Sequence, residues 1–221
     1  MKLVSPLFGS VIEIDEDRVS SLVVENQQAF RLLLTDLCMQ AEGFNGSTVL
    51  SEANKPISIA KNIEIIKDFA PFEFNGKALQ TKLTNAIDAI SRNEQHWLRT
   101  QELLNSCEMY IGELAEDFQC DIECSKLSFT GILKSLGISA AGKSEDQIGE
   151  VLNYMELVRQ IDRDRLFVTV NMRSWFDDES MKCFFKDVLG KKLRLLLLES
   201  TSRRRLENER RWTVDHDLCE F

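Results

Sequence analysis

Apolar and polar residues alternate along this 221-residue chain in two textures. Val11-Ile12-Glu13-Ile14 reads as a short strand. A helical stripe then runs through residues 18–41, carrying Leu22, Val23, Phe30, Leu33, Leu34, Leu37, Cys38 and Ala41 on one face, with Asp17 placed to cap it. Gly43 and Gly46 end that helix, and short apolar pieces follow at 48–50 and 63–67, giving a βαβ-like opening. From Lys77 to Phe118 there is no Pro, and Gly112 is the sole internal Gly. Leu79, Leu83, Ile87 and Ile90 form one stripe there. Trp97, Leu104, Cys107, Ile111, Leu114 and Phe118 form a second with coiled-coil-like spacing, so a helical hairpin is predicted with its bend at Ser91–Glu94. Phe129, Ile132, Leu133 and Leu136 predict a third, short helix closed by Gly137. The last third returns to α/β alternation: helix 145–161, strand 166–170, helix 178–189, strand 193–198, and an edge strand near Trp212–Val214. Both long strands are unbroken apolar runs, as in a parallel sheet covered on two faces.

Composition narrows the class. The apolar share is 43%, enough for a real core, and no apolar run nears the roughly 18–20 residues of a membrane span. The first residues, with a Pro-broken apolar stretch and then Glu13, Asp15, Glu16 and Asp17, do not read as a secretory signal, so a cytoplasmic protein is expected. Six cysteines show no C-x-x-C pair and are expected as free thiols. Net charge is −9, which by itself argues against a nucleic-acid binder. Residues 101–124 hold seven acids and no base, however, leaving the remaining chain close to balance and able to carry a basic surface locally.

Three constellations carry possible chemistry. Gly137-Ile-Ser-Ala-Ala-Gly142-Lys143-Ser144 matches the phosphate-cradling G-x-x-x-x-G-K-[ST] pattern, whose chemistry needs a buried strand before the first Gly. Helical spacing ahead of Gly137 argues against that strand. A helix cap at Gly137, a linker, and a capping box of Ser144 with Gln147 account for the same residues. Arg203-Arg204-Arg205 and Arg210-Arg211 form a basic cluster diluted by Glu207 and Glu209, either a solvated, internally salt-bridged face or a phosphate contact. His96 and His216 lack zinc-site spacing and read as surface residues.

Asp121-Ile-Glu123, followed eight residues later by Ile132-Leu-Lys-Ser-Leu-Gly137, resembles the ring-forming accessory proteins of type II-A CRISPR systems that act in spacer acquisition. Leu166-Phe-Val-Thr-Val-Asn171, Leu195–Leu198 running into Glu199, and Phe72-Glu-Phe-Asn75 extend that resemblance in order and spacing over most of the chain. It implies an α/β head with a mostly parallel sheet, reminiscent of P-loop ATPases but without a working nucleotide site, formed from residues 1–72 and 146–221. An inserted all-α leg would take residues 73–145. The implied function is non-enzymatic: four copies form a ring that threads onto ends of linear double-stranded DNA without sequence specificity. Calcium would be held as a structural ion, and CRISPR integrase and effector nuclease subunits would be partners. A P-loop nucleotide hydrolase using Gly137–Ser144 is the alternative. Candidate DNA contacts are Lys126, Lys134, Lys143, Arg203, Arg204 and Arg205. Candidate calcium ligands are Asp121 and Glu123, with Glu113, Glu116 and Asp117 as additional carboxylates. The family tends to place more acids just after Glu123, where this chain has Ser125 and Lys126, so a weaker metal site is expected.

Overall fold

A computed structural model describes residues 1–120, 122–141 and 146–221. Its strands are β1 (Lys2–Val4), β2 (Ile12–Glu13), β3 (Val19–Val24), β4 (Val49–Glu52), β5 (Lys55–Ile57), β6 (Ile63–Ile66), β7 (Leu166–Val170), β8 (Arg194–Glu199) and β9 (Glu209–Val214). The helices are α1 (Gln27–Ala41), α2 (Ile59–Asn62), α3 (Lys77–Ser91), α4 (Trp97–Ala115), α5 (Phe129–Leu136), α6 (Gln147–Ile161) and α7 (Asp178–Gly190). Strands β6-β7-β8-β3-β9 make an all-parallel five-stranded sheet, and β2-β1-β4-β5 make a separate antiparallel one. The chain divides into two compact units, residues 1–74 with 142–221, and residues 75–141. Both sheets lie in the first unit; the second carries α3, α4 and α5.

The opening of the chain corrects the sequence expectation. Residues 19–24 are not the first turns of a helix but the strand β3, buried at every position. Val19, Val23 and Val24 are β-branched, and the strand is sandwiched between β8 and β9, so tertiary pairing overrides the helical spacing of Leu22 and Val23. Helix α1 starts only at Gln27, where Asn26, not Asp17, caps it: its Oδ1 accepts the Ala29 N–H at 3.0 Å. The antiparallel sheet, with β1 pairing both β2 and β4, replaces a simple βαβ opening.

The parallel sheet has two different faces. On one, Leu22, Val24, Leu166, Val168, Leu196, Leu198 and Val214 join Leu33 and Leu37 of α1 and Leu3, Ile12 and Leu50 of the antiparallel sheet in one apolar core. On the other, Leu197 stands abreast of Ser21 and Thr169, whose buried hydroxyls find no hydrogen-bond partner among the described residues. Helix α6 buries Val151, Leu152, Met155 and Val158, and α7 buries Met181, Phe184, Phe185 and Val188. The cap of α6 is Asp146, which accepts the Gly149 N–H at 2.9 Å, in place of the expected Ser144 with Gln147; Ser144 lies outside the described residues.

The second unit follows the predicted spacing at α3, α4 and α5, with Gly137 in the left-handed conformation (φ 64°) that closes α5. Its first and last residues are tied together. The Asn75 side chain donates to the Ala140 carbonyl and accepts the Ala140 N–H, each at 2.9 Å. Helix α4 buries none of its residues; Trp97, Ile111, Leu114 and Phe118 of the expected seam are all exposed.

Candidate nucleic-acid interface

Because β3 lies between β8 and β9, the connection 200–208 runs back across one face of the sheet. Arg203, Arg204 and Arg205 all sit on it and all are exposed. The backbone under them is fixed from within. Arg173, only 3% exposed, follows β7 in a short 3-10 turn (Met172–Ser174) and donates through Nη2 to the Arg204 carbonyl at 2.8 Å. The same guanidinium reaches Asp178 at 2.8 Å and Glu209 at 3.6 Å, while its Nε is buried without a partner among the described residues. Glu209 also accepts the Leu206 N–H, and the Arg211 guanidinium donates to Glu209 and to the Arg203 carbonyl. The loop is thus held largely through its backbone carbonyls and the Leu206 N–H, while Arg203, Arg204 and Arg205 stay exposed.

The cluster at 203–211 therefore splits. Arg210 pairs with Asp15 at 2.8 Å and Arg211 with Glu209 at 2.6 Å, which makes both part of a salt-bridged face. Arg205 donates from Nε to the Glu209 carbonyl and Arg203 reaches Ser174 Oγ at 3.4 Å; neither they nor Arg204 pairs with a carboxylate among the described residues. Beneath the loop, Glu199 ends β8 almost fully buried and accepts the Arg173 N–H at 3.2 Å. Burial pushes its carboxyl up to about 7, against the pull of that N–H and of the Arg173 and Arg203 charges. Sequence reasoning missed Arg173 and Glu199. A single Arg after a strand carries no local sign of burial, and Glu199 was seen only as the end of an apolar run.

Two of the other candidates, Lys126 and Lys134, occupy the second unit. Lys126 lies in the irregular stretch before α5, Lys134 lies on α5, and both are exposed; Lys143 lies outside the described residues. The structure brings the three arginines together on one loop, whereas Lys126 and Lys134 belong to a different unit. Gly137 is preceded by α5 and not by a strand, so the residues leading into Gly137–Ser144 lack the strand–loop–helix context of a phosphate loop. Where the parallel sheet does run from strand to helix at its inner strand β3, only Glu25 and Asn26 separate it from α1. His96 and His216 are exposed.

Among the described residues, the acidic segment shows no assembled ligand set. Glu113, Glu116, Asp117 and Glu123 are exposed, Asp121 lies outside the described residues, and no group of three His, Cys, Asp or Glu among the described residues stands close enough to hold a metal. Glu108 instead accepts the Leu127 N–H at 2.8 Å, tying α4 to the stretch before α5. No described helix is long and apolar enough to cross a membrane.

The model of the family described as CRISPR-associated protein (Cas_Csn2) matches residues 40–218. The chain belongs to that family. The match spans both units, from the end of α1 to the turn after β9, and places the chain in CRISPR adaptation within type II-A systems. No curated relative matches the sequence.

Proposed function

We propose that this member of the Cas_Csn2 family is a non-enzymatic ring-forming protein that binds ends of linear double-stranded DNA during spacer acquisition. The observation that carries the reading is the loop 203–205, three exposed guanidiniums without carboxylate partners on a backbone held by Arg173 and Arg211. Phosphate contacts from such a loop position a duplex and carry no base information. In this reading the first unit is a P-loop-ATPase-like head that has lost its nucleotide site, since Glu25-Asn26 leaves no room for a phosphate loop after β3 and puts a carboxylate there. The second unit is an all-α leg. The exposed apolar residues of α4 supply the surface on which four copies pack, and CRISPR integrase and effector nuclease subunits are the protein partners in the cytoplasm.

The deciding experiment compares a linear duplex with a nick-free closed circle of equal length, across salt. The expected result is binding to the linear form alone, indifferent to sequence, with affinity falling by a log–log slope of about 0.9 per phosphate neutralised. Replacing Arg203, Arg204 and Arg205 together by Ala should weaken every sequence alike. Equal binding to the circle removes the threading model. An ATPase activity abolished by Lys143→Ala replaces the whole reading with a nucleotide hydrolase using Gly137–Ser144. Calcium is part of the proposal, with Asp121 and Glu123 as its first ligands: a calcium-dependent rise in melting temperature should vanish in Asp121→Asn/Glu123→Gln. Sedimentation showing only a monomer, with and without calcium, removes the ring.

A further inference from the structure

Two grooves of nearly equal size have opposite electrostatic linings. In the first unit, the groove beside the starts of α6 and α7 encloses about 390 Å³, and its walls include Asp146, Asp177, Glu179 and Asp187 with no base. In the second unit, α3 and α5 enclose about 380 Å³ between walls that include Lys77, Lys134, Gln80 and Asn85 with no carboxylate. In a chain of net charge −9, a groove with two cations and no acid stands apart.

The two cations of this second groove are free. Neither the Lys77 nor the Lys134 ammonium has an ion pair or hydrogen bond among the described residues. The Thr81, Thr84 and Thr130 hydroxyls already donate to the Lys77 carbonyl, the Gln80 carbonyl and Asp88, so the lysine ammonium and Gln80 and Asn85 amide groups are what an incoming acceptor meets. Helix α3 begins at Gly76 with no capping side chain and no acid in its first turn, which adds its positive end to the same side. The two-way bond between Asn75 and Ala140 holds the chain that follows Gly137 against the start of α3, so the groove is shaped before anything enters.

We propose that the α3/α5 groove seats a phosphate of the nucleic-acid backbone, with Lys77 and Lys134 as its cationic contacts. Two ammonium point charges suit a phosphate without demanding the planar fork geometry of a carboxylate–Arg pair. The proposal rests on the DNA-binding reading above and extends it to the second unit, where Lys77 is a new contact residue.

The test measures binding of two unrelated linear duplexes to the full chain and to Lys77→Ala/Lys134→Ala, from low to high salt, with Lys77→Arg/Lys134→Arg as the charge-preserving control. In the Ala variant the log–log salt slope should fall by about 0.9, for the one phosphate no longer neutralised, per protein copy engaged. Affinity should drop equally on both duplexes, the Arg variant should keep both affinity and slope, and melting temperatures should match because both lysines are exposed. If the unmodified chain binds neither duplex, the DNA-binding reading falls and this inference with it. Duplex binding with slope and affinity unchanged in the Ala variant overturns the groove alone. A loss confined to one duplex overturns the backbone assignment.

Discussion

Strands β3 and β7 bury every residue, and β8 buries all but Arg194. Helix α4, the longest element at 19 residues, buries none. Both segments are rich in large apolar side chains, so composition does not separate them. In β3, β7 and β8 both faces are covered, as their nearly unbroken burial shows. On α4, Leu98, Leu103, Met109 and Tyr110 face outward beside the predicted seam. Periodicity therefore reports that a segment will be a helix; it does not report what that helix packs against.

The largest effect that tests this contrast is a cavity in the sheet. Phe167→Ala empties a fully buried ring site in β7 and should cost about 3–5 kcal/mol of unfolding free energy in urea titration. A loss below about 1 kcal/mol would mean that the core relaxes around it.

Breaking the buried guanidinium comes next. Arg173→Met leaves the Arg204 carbonyl without its donor and Glu209 with Arg211 as its remaining cation, for a cost of about 3 kcal/mol. Proteolysis should then cut the 200–208 connection faster than in the unmodified chain. Unchanged cleavage would show that the loop is held by other contacts.

Glu199 gives a pH-dependent version. Its carboxyl is raised from 4.5 to about 7, so between those values the folded chain binds more protons than the unfolded one. Stability from this group is present below about pH 4.5 and is lost as pH rises through 7. Glu199→Gln should flatten that fall, gaining up to about 3 kcal/mol at pH 8 relative to pH 5. Parallel stability curves for the two proteins would contradict the raised value.

The smallest effect belongs to α4. Leu103→Ala, at a site 49% exposed, should change unfolding by no more than about 0.5 kcal/mol. A larger loss that grows with protein concentration would show α4 covered between copies.

How much was legible in the sequence follows the same physics. β7 and β8 were readable because burial on both faces makes unbroken apolar runs, and α5 because its spacing ends at a left-handed Gly137. β3 was not, since only Glu25 and Asn26 part it from α1 and its Ser20 and Ser21 look solvent-facing although both are buried. β1, β4 and β5 are three or four residues long, too short for a period to register. The arginine triplet announced itself by composition. Arg173 and Lys77 did not, because one is defined by a loop that crosses above it and the other by a groove between helices far apart in sequence.

The position of β3 has a consequence for synthesis. It is an inner strand, yet both its neighbours come from residues 194–214, some 170 positions later. At roughly 5–20 residues per second, the ribosome delivers β9 about 10–40 s after β3 has been made. Residues 75–141 emerge within that interval and can close on local contacts, while β3 waits with its hydrogen-bonding edges open. The nascent chain therefore passes through a stage with a finished helical middle and an unpaired apolar strand, the stage at which a chaperone has something to hold.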